Sequence, residues 1–172
     1  LLKFHGIYQQ DDRDLRSERA RRKLEPDYQF MVRLRIPGGS CSVLQWQGLS
    51  RVATRYAGGV LRITSRQTLQ LHGVRKPQLK DCLQALKKLG IDTVAACGDD
   101  SRGIVCGVNT ALSPLHAQVL RLAQQTSARL IPRTSAYGEI WHDTQPAPGG
   151  EEEPVYGPLY LPRKFKVGFA LP

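Results

Sequence analysis

The residues with the clearest potential for chemistry lie near the end of the chain, where residues 160–166 read YLPRKFK. Arg163, Lys164 and Lys166 place three cations within four positions, around Phe165. In an extended segment Lys164 and Lys166 point one way and Arg163 points the other. Two ammonium groups about 7 Å apart along a strand could converge on a small dianion. Taken alone, these residues are also typical of a solvent-exposed basic strand.

Arginines recur along the chain where strands end or turns begin, which is unlike the scattering of solubilising charges over helix exteriors. Arginine suits a shared anion site because its planar fork binds carboxylates in pairs and stays charged when partly desolvated. A sheet lined with such residues could hold a polycarboxylate cofactor or a nucleic-acid backbone. The residues in question are Arg33, Arg35, Arg62, Arg66, Arg102 and Arg163.

The composition indicates the class of partner to expect but does not identify the partner. A formal net charge of +10 and a pI near 9.8 indicate anionic partners. Sheets that bind RNA usually present aromatic side chains for base stacking, whereas the predicted cationic faces carry Met31 and Thr64. That difference disfavours a nucleic-acid-binding module. Such a module remains the alternative to a site for a polycarboxylate cofactor or a small anion. There is no apolar run long enough to span a bilayer.

The cysteines and histidines indicate no metal centre or hydrolytic triad. The four cysteines contain no CxxC pair, so they match neither a zinc nor a ferredoxin pattern. Few cysteines without a disulfide framework favour a reducing cytoplasm. The residues concerned are Cys41, Cys82, Cys97, Cys106, His5, His72, His116 and His142.

The hydrophobic pattern predicts an α+β fold. Apolar residues alternate over 28–36 with Met31, Arg33 and Arg35 on the opposite face, which is typical of a strand. In the following helix the predicted apolar stripe is Leu44, Trp46, Leu49, Val52, Ala53 and Tyr56. The order strand, helix, strand, strand, helix, strand predicts a ferredoxin-like arrangement. The predicted elements are strands at 28–36, 60–64, 68–74 and 91–97, and helices at 44–56 and from Pro77 to Gly90.

Before and after these elements the pattern is less regular. Residues 11–25 are dense in charge and predict a solvated helix or arm that ends at Pro26. Ser113 and Pro114 predict the start of a helix, as N-cap and first helical residue, and Pro132 predicts its end. Residues 137–141 predict a strand. Because the chain begins with Leu1 and breaks off in an apolar pattern, we expect it to be part of a longer protein.

Several motifs then occur in one order along nearly the whole chain. They are LKFHGIYQQDDRD at 2–14, LEP at 24–26, RLRIPGG at 33–39, TSRQT at 64–68, QLHG at 70–73 and LPRKFK at 161–166. In these motifs the chain resembles the N-terminal half of the hemoprotein beta component of assimilatory, NADPH-dependent sulfite reductases, in the nitrite/sulfite reductase siroheme family.

That resemblance implies a domain division and an activity. It implies an N-terminal arm at 1–27, a nitrite/sulfite reductase ferredoxin-like half-domain at 28–97, and the truncated start of an α+β siroheme-binding domain at 98–172. Members of the family reduce sulfite to sulfide with six electrons at siroheme, which is coupled to a [4Fe-4S] cluster. Electrons come from NADPH through a flavoprotein alpha component in a hetero-oligomer, so no nucleic-acid or membrane partner is expected.

The resemblance also assigns roles to residues of this chain. Arg33, Arg102, Lys164 and Lys166 match cations that bind sulfite. The positions matched to siroheme are Arg62, Arg66 and Arg163, which would hold carboxylates, with Gln70 and His72 in the same lining segment. The cysteines that hold the cluster belong to the family's other half, so this chain should bind no cluster and should be inactive alone.

Two points stay open in the resemblance. A siroheme nitrite reductase or a ferredoxin-dependent sulfite reductase would use a similar basic pocket. Relatives commonly carry asparagine on each side of the arginine at position 102, whereas this chain has Ser101 and Gly103, and Leu69 stands where an aromatic residue is usual.

Overall fold

The first part of the chain folds around a four-stranded antiparallel sheet. The computed structural model describes residues 2–98, 100–107, 109–110, 112–133, 141–142, 145–146, 153–157, 161 and 163–171. The strands are β1 (Ile7–Asp11), β2 (Tyr28–Arg33), β3 (Leu61–Ile63) and β4 (Leu69–Val74), in the order β1-β2-β4-β3. The inner strands β2 and β4 place Arg33 opposite Gln70.

Two helices, α2 (Val43–Tyr56) and α3 (Leu79–Lys88), share one hydrophobic core with this sheet. The predicted apolar face of β2 is confirmed, because it belongs to that core. The two helices approach closely at Gly48, where a Cβ would collide with the side chain of Leu89. The core residues of the sheet and its extension include Phe30, Val32, Leu34, Ile36, Leu71 and Val74, and those of the helices include Leu49, Val52, Ala53, Cys82 and Leu86.

Helix α2 begins on the signal that its sequence carries. Ser42 and Gln45 form a reciprocal capping box, with bonds of 3.1 and 3.0 Å. The predicted stripe is wrong at Leu44 and Trp46, which are 75% and 49% exposed. At 3.6 residues per turn, Leu44 lies about 140° around the helix axis from Leu49 and therefore faces away from the core.

The predicted fourth strand at 91–97 is wrong, because the chain turns there. The Asp92 carboxylate accepts hydrogen bonds from the backbone N–H groups of Thr93 (2.7 Å) and Val94 (2.9 Å). Ala95 then adopts a φ of 54°, which is outside the β region. Only an isolated bridge between Arg35 and Asp92 remains at this edge within the described residues.

The edge of the sheet is occupied instead by β1, which the sequence pattern misses. β1 pairs antiparallel with β2 from Ile7 opposite Val32 to Asp11 opposite Tyr28. Helix α1 (Arg13–Arg21) follows, capped by Asp12, and none of its residues is buried. Five residues of the predicted arm at 1–27 thus belong to the sheet; the proposed domain boundaries stay a prediction.

The second part of the chain packs against the turn after β2. Helix α4 (Pro114–Arg129) begins as predicted, with Ser113 as the N-cap. A short parallel pair joins β5 (Val105–Cys106) to β8 (Gly168–Phe169). Ile104, Cys106 and Ala123 form a small core with flanking residues such as Leu120 and Phe169.

The remaining elements are short. β6 (Trp141–His142) pairs antiparallel with β7 (Gln145–Pro146), and most of the strand predicted at 137–141 lies outside the described residues. In the described part of the chain, no helix has the length and apolar character needed to cross a membrane.

Candidate functional site

A cavity of about 490 Å³ lies where the sheet meets the second part of the chain. Its described lining contains five cations and no carboxylate. The cations come from the end of β2, the turn between β3 and β4, the loop before β5, and the segment before β8. Such a wall concentrates positive potential on the enclosed space. The five are Arg33, Arg66, Arg102, Lys164 and Lys166.

Arg33 is held by neighbours on three sides. Its Nη1 donates a hydrogen bond of 2.9 Å to Sγ of Cys97, and its guanidinium lies 5.8 Å from the centroid of the Tyr8 ring. Burial, followed by a hydrogen bond with Cys97, raises the pKa of Tyr8, so the phenol is neutral. The third neighbour is Gln70 on β4.

The hydrogen-bonding partners of Gln70 fix the orientation of its amide. Its oxygen accepts from Nε and Nη2 of Arg33 at 3.0 and 2.7 Å, and its nitrogen donates to Nε2 of His72 at 3.0 Å. That arrangement requires a neutral imidazole. Burial, and then the charges of Arg62 and Arg33, lower the pKa of His72, which favours the neutral form. A chain of bonds therefore runs from His72 through Gln70 to Arg33.

Arg66 lies in the turn between β3 and β4, close to the loop of Arg102. Its Nη2 donates a hydrogen bond of 2.6 Å to the carbonyl of Gly103. Burial, and then the charge of Arg102, lower the pKa of Arg66. The two guanidinium groups therefore repel each other across the cavity wall, and an anion between them would relieve that repulsion.

The loop of Arg102 is held mainly through backbone atoms. Arg102 N donates to the carbonyl of Phe165 at 2.9 Å, Phe165 N donates to the carbonyl of Asp100 at 3.0 Å, and Arg102 Nε donates to the carbonyl of Ala96 at 3.1 Å. These bonds involve neither the Ser101 hydroxyl nor any side chain at position 103. They also fix Phe165, so that Lys164 and Lys166 on either side of it both line the cavity.

Three of the predicted site residues are not among the described residues that line the cavity. Arg62 is exposed on β3, opposite Gln70 in the register. His72 lies behind Gln70. Arg163 is exposed and precedes Lys164, in keeping with the opposite face expected from the alternation.

Arg35, which the sequence groups with the cavity arginines, has a different position. It is only 6% exposed, and it donates to Ser127 Oγ (3.1 Å), the Ala95 carbonyl (3.0 Å) and the Ser101 carbonyl (2.9 Å). Burial lowers its pKa, and the charge of Asp100 opposes that change. Arg35 therefore joins the two parts of the chain and does not line the cavity.

Sequence reasoning missed Cys97 and Gln67 as neighbours of the site. Cys97 contacts Arg33 across 64 positions, and Gln67 contacts Cys106 across 39 positions. Neither cysteine nor glutamine is a residue type that predicts such a contact. The one hint in the sequence was the amide side chain of Gln67, which lies between Arg66 and Thr68 in a turn.

The lining fits a ligand that carries several carboxylates or a small oxyanion, because arginine and lysine donors face the space without a competing carboxylate among the described lining residues. The described residues do not fit a metal cluster. They contain no group of three or more His, Cys, Asp or Glu that could hold a metal ion. All four cysteines are free thiols, and three of them are buried.

Comparisons with known proteins point in one direction. Residues 21–89 match the model of the nitrite/sulfite reductase ferredoxin-like half-domain. Relatives named sulfite reductase [NADPH] hemoprotein beta-component match the whole chain, at 54% identity in Afipia carboxidovorans, 55% in Xylella fastidiosa and 56% in Chromohalobacter salexigens. The chain spans 31% of the length of each of these three relatives.

Solved structures show the same fold at low sequence identity. The Mycobacterium tuberculosis NirA protein matches with a TM-score of 0.66 and 22% identity, over 98% of this chain and 28% of that one. Dissimilatory sulfite reductase I matches with a TM-score of 0.60 and 15% identity, over 96% of this chain and 33% of that one. The α+β fold with a ferredoxin-like half-domain is therefore confirmed.

Proposed function

The chain carries the nitrite/sulfite reductase ferredoxin-like half-domain and is homologous over its full length to sulfite reductase hemoproteins, and from this relationship we propose that it supplies the sulfite-binding wall of a siroheme sulfite reductase. The observation that carries this proposal is the cavity in which five cations from separate stretches of the chain meet. Sulfite is a small dianion, and this wall offers it fixed positive charge.

Within that cavity Arg33, Arg102, Lys164 and Lys166 bind sulfite. Arg33 and Arg102 keep their charge throughout and act as electrostatic clamps. Their guanidinium groups are already oriented by Cys97 and Gln70 for Arg33, and by the Ala96 carbonyl for Arg102. The anion therefore meets donors that need little rearrangement.

The lysines have a second role, because reduction consumes protons. Converting SO₃²⁻ to S²⁻ takes six electrons and six protons and releases three waters. A lysine ammonium can give up a proton, whereas a guanidinium cannot do so in a protein. Lys164 and Lys166 both face the cavity, so they deliver protons to the departing oxygens while Arg33 and Arg102 hold the remaining charge.

The other basic residues hold siroheme. Arg66 lies on the cavity wall, and the exposed guanidinium groups of Arg62 and Arg163 remain accessible to carboxylates at its edge. Gln70 lines the cavity, and His72 supports it from outside the lining through their bond to each other. When bound, siroheme supplies the iron at which sulfur is reduced. The arginines orient the group.

The [4Fe-4S] cluster does not fit the described residues of this chain, because they contain no metal-binding group. We propose that its ligands lie in another part of the intact protein and that this chain alone is inactive. The name of the relatives includes NADPH and describes a beta component. We therefore propose NADPH as the electron source, reached through a partnering flavoprotein alpha component in a hetero-oligomer. The same name supports sulfite over nitrite and NADPH over ferredoxin. Free thiols support a cytoplasmic location.

The test uses the intact protein that contains this chain, loaded with siroheme and supplied with a reduced viologen dye. Sulfide formation from sulfite is expected for the wild type, and a large loss is expected for Arg33→Gln. Absence of sulfide in the wild type, or full activity in Arg33→Gln, contradicts the proposal. The isolated chain, reconstituted with siroheme, iron and sulfide and then freed of excess sulfide, should show no cluster absorption and should not oxidise the reduced dye when sulfite is added.

A further inference from the structure

Gln67, in the turn between β3 and β4, forms two hydrogen bonds with the backbone of one residue of strand β5. Its Nε2 donates to the carbonyl of Cys106 at 2.8 Å, and its Oε1 accepts from Cys106 N at 3.0 Å. The side chain thus takes the place of a neighbouring strand beside β5, whose other edge pairs with β8. This pattern satisfies both backbone groups of Cys106, which is itself buried.

The backbone of Gln67 is held in a conformation that glutamine rarely adopts. Its φ is 51°, in the left-handed region that disfavours residues with a Cβ. The turn around it is closed by Thr64 N donating to the Thr68 carbonyl at 2.9 Å. Space for Gln67 comes from Gly39, where a Cβ would lie 2.9 Å from that of Gln67. An unfavourable conformation persists when surrounding contacts determine it.

The same turn carries Arg66, and the hydrogen bonds of Gln67 oppose the repulsion between the guanidinium groups of Arg66 and Arg102. Arg66 contacts the carbonyl of Gly103 at 2.6 Å, directly after Arg102, so two guanidinium groups share one wall of the cavity. Without a second attachment, this repulsion would move the turn away from residues 103–106. Gln67 provides that attachment as a neutral group, and it adds no charge to the cavity.

From this geometry we infer that Gln67 is a positioning residue that fixes Arg66 for the carboxylates of siroheme by tying the turn at 64–68 to Cys106. The inference rests on the proposed function. It concerns a residue that contacts neither the cavity space nor sulfite, since Gln67 is not among its described lining residues.

The experiment compares variants of the intact protein prepared without siroheme. Gln67→Gly removes the amide while favouring the positive φ, so backbone strain does not confuse the result. Gln67→Asn is a second variant that tolerates this conformation and carries an amide too short to reach Cys106. Gln47→Ala, on the exposed side of α2, is the matched control. Each protein is titrated with siroheme by visible absorption, and backbone hydrogen exchange is followed at residues 64–68 and 103–106.

Gln67→Gly and Gln67→Asn should each weaken siroheme binding about tenfold, the effect of losing a hydrogen bond to a buried group, and should speed exchange in both segments. Because Gln67 acts through Arg66, adding Gln67→Gly to Arg66→Ala should change siroheme affinity less than about twofold. Unchanged affinity in Gln67→Gly, or an equal loss in both backgrounds, overturns the inference. If the wild type takes up no siroheme, the proposed function fails. Hydrogen exchange then tests whether Gln67 attaches the turn at 64–68 to Cys106, and unchanged exchange in the variants overturns the inference.

Discussion

Arg33 Nη1 donates a hydrogen bond of 2.9 Å to Sγ of Cys97, a residue 64 positions later in the chain. Arg33 ends β2 and lines the cavity, whereas Cys97 is fully buried. Gln70 accepts from two further nitrogens of the same guanidinium. The direction of this cation is therefore set by the fold, before any anion arrives.

Replacing Cys97 should loosen Arg33 and weaken sulfite binding. Cys97→Ala removes an acceptor from a charged donor, so the KM for sulfite in the intact protein should rise about tenfold, equivalent to ~1.4 kcal/mol. Cys97→Ser retains an acceptor and should lose less. The control is Cys82→Ala, which empties an equally buried position in the helical core; it should lower the melting temperature and leave KM unchanged. Equal KM changes at both cysteines would contradict the role of Cys97.

Arg35 should matter for stability more than for anion binding. Its guanidinium satisfies Ser127 and the carbonyls of Ala95 and Ser101. Arg35→Met should lower the free energy of unfolding by about 3 kcal/mol, because buried acceptors lose a charged donor. Urea unfolding of the intact protein measures the change, with exposed Arg51→Met as the control. A change as small as that of the control would show that the buried network contributes little.

His72 should make stability depend on acidic pH. Its pKa is lowered from 6.5 in the folded protein by burial and by Arg62 and Arg33. Below about pH 6.5 the unfolded chain binds a proton at His72 more readily than the folded chain. Stability should therefore fall as pH decreases from 6.5 through the folded pKa, and it should be fully present above 6.5.

The measurement is urea unfolding from pH 7.5 to 5.0, with His72→Gln as the comparison. The variant should show a shallower fall over this window because it lacks the titrating group. The wild type and His72→Gln should also differ in how sulfite affinity depends on pH. A protonated His72 cannot accept from Gln70, which holds Arg33. Comparison at equal pH removes the titration of sulfite itself. Identical pH profiles in both proteins would contradict this role of His72.

Local patterns predicted the elements whose signals lie within a few residues. Ser113 and Pro114 marked the start of α4, and the alternation around Val32 marked the buried face of β2. The strand expected at 91–97 failed because the Asp92 side chain captures two backbone N–H groups, a contact that apolar periodicity does not register. β1 was missed because its exposed residues at an edge strand carry little periodic signal.

The site was predictable in its residue types and less so in its contacts. The two-residue spacing of Lys164 and Lys166 was enough to place them on one side, and both line the cavity. Nothing local distinguished Arg33, which faces the cavity, from Arg35, which is buried against Ser127. That difference depends on how α4 packs against the turn after β2, which is a long-range property of the fold.

The convergence of four cations on one anion is the central claim, and sulfite affinity in charge-neutralised variants of the intact protein tests it most directly. Arg33→Gln, Arg102→Gln, Lys164→Met and Lys166→Met each remove one charge from the cavity, and Arg121→Gln removes one from the exposed side of α4. At fixed ionic strength, each of the four should weaken sulfite binding at least about tenfold, and Arg121→Gln less than about twofold. Equal, small losses in all five would contradict the claim, because they would show that only net charge attracts the anion.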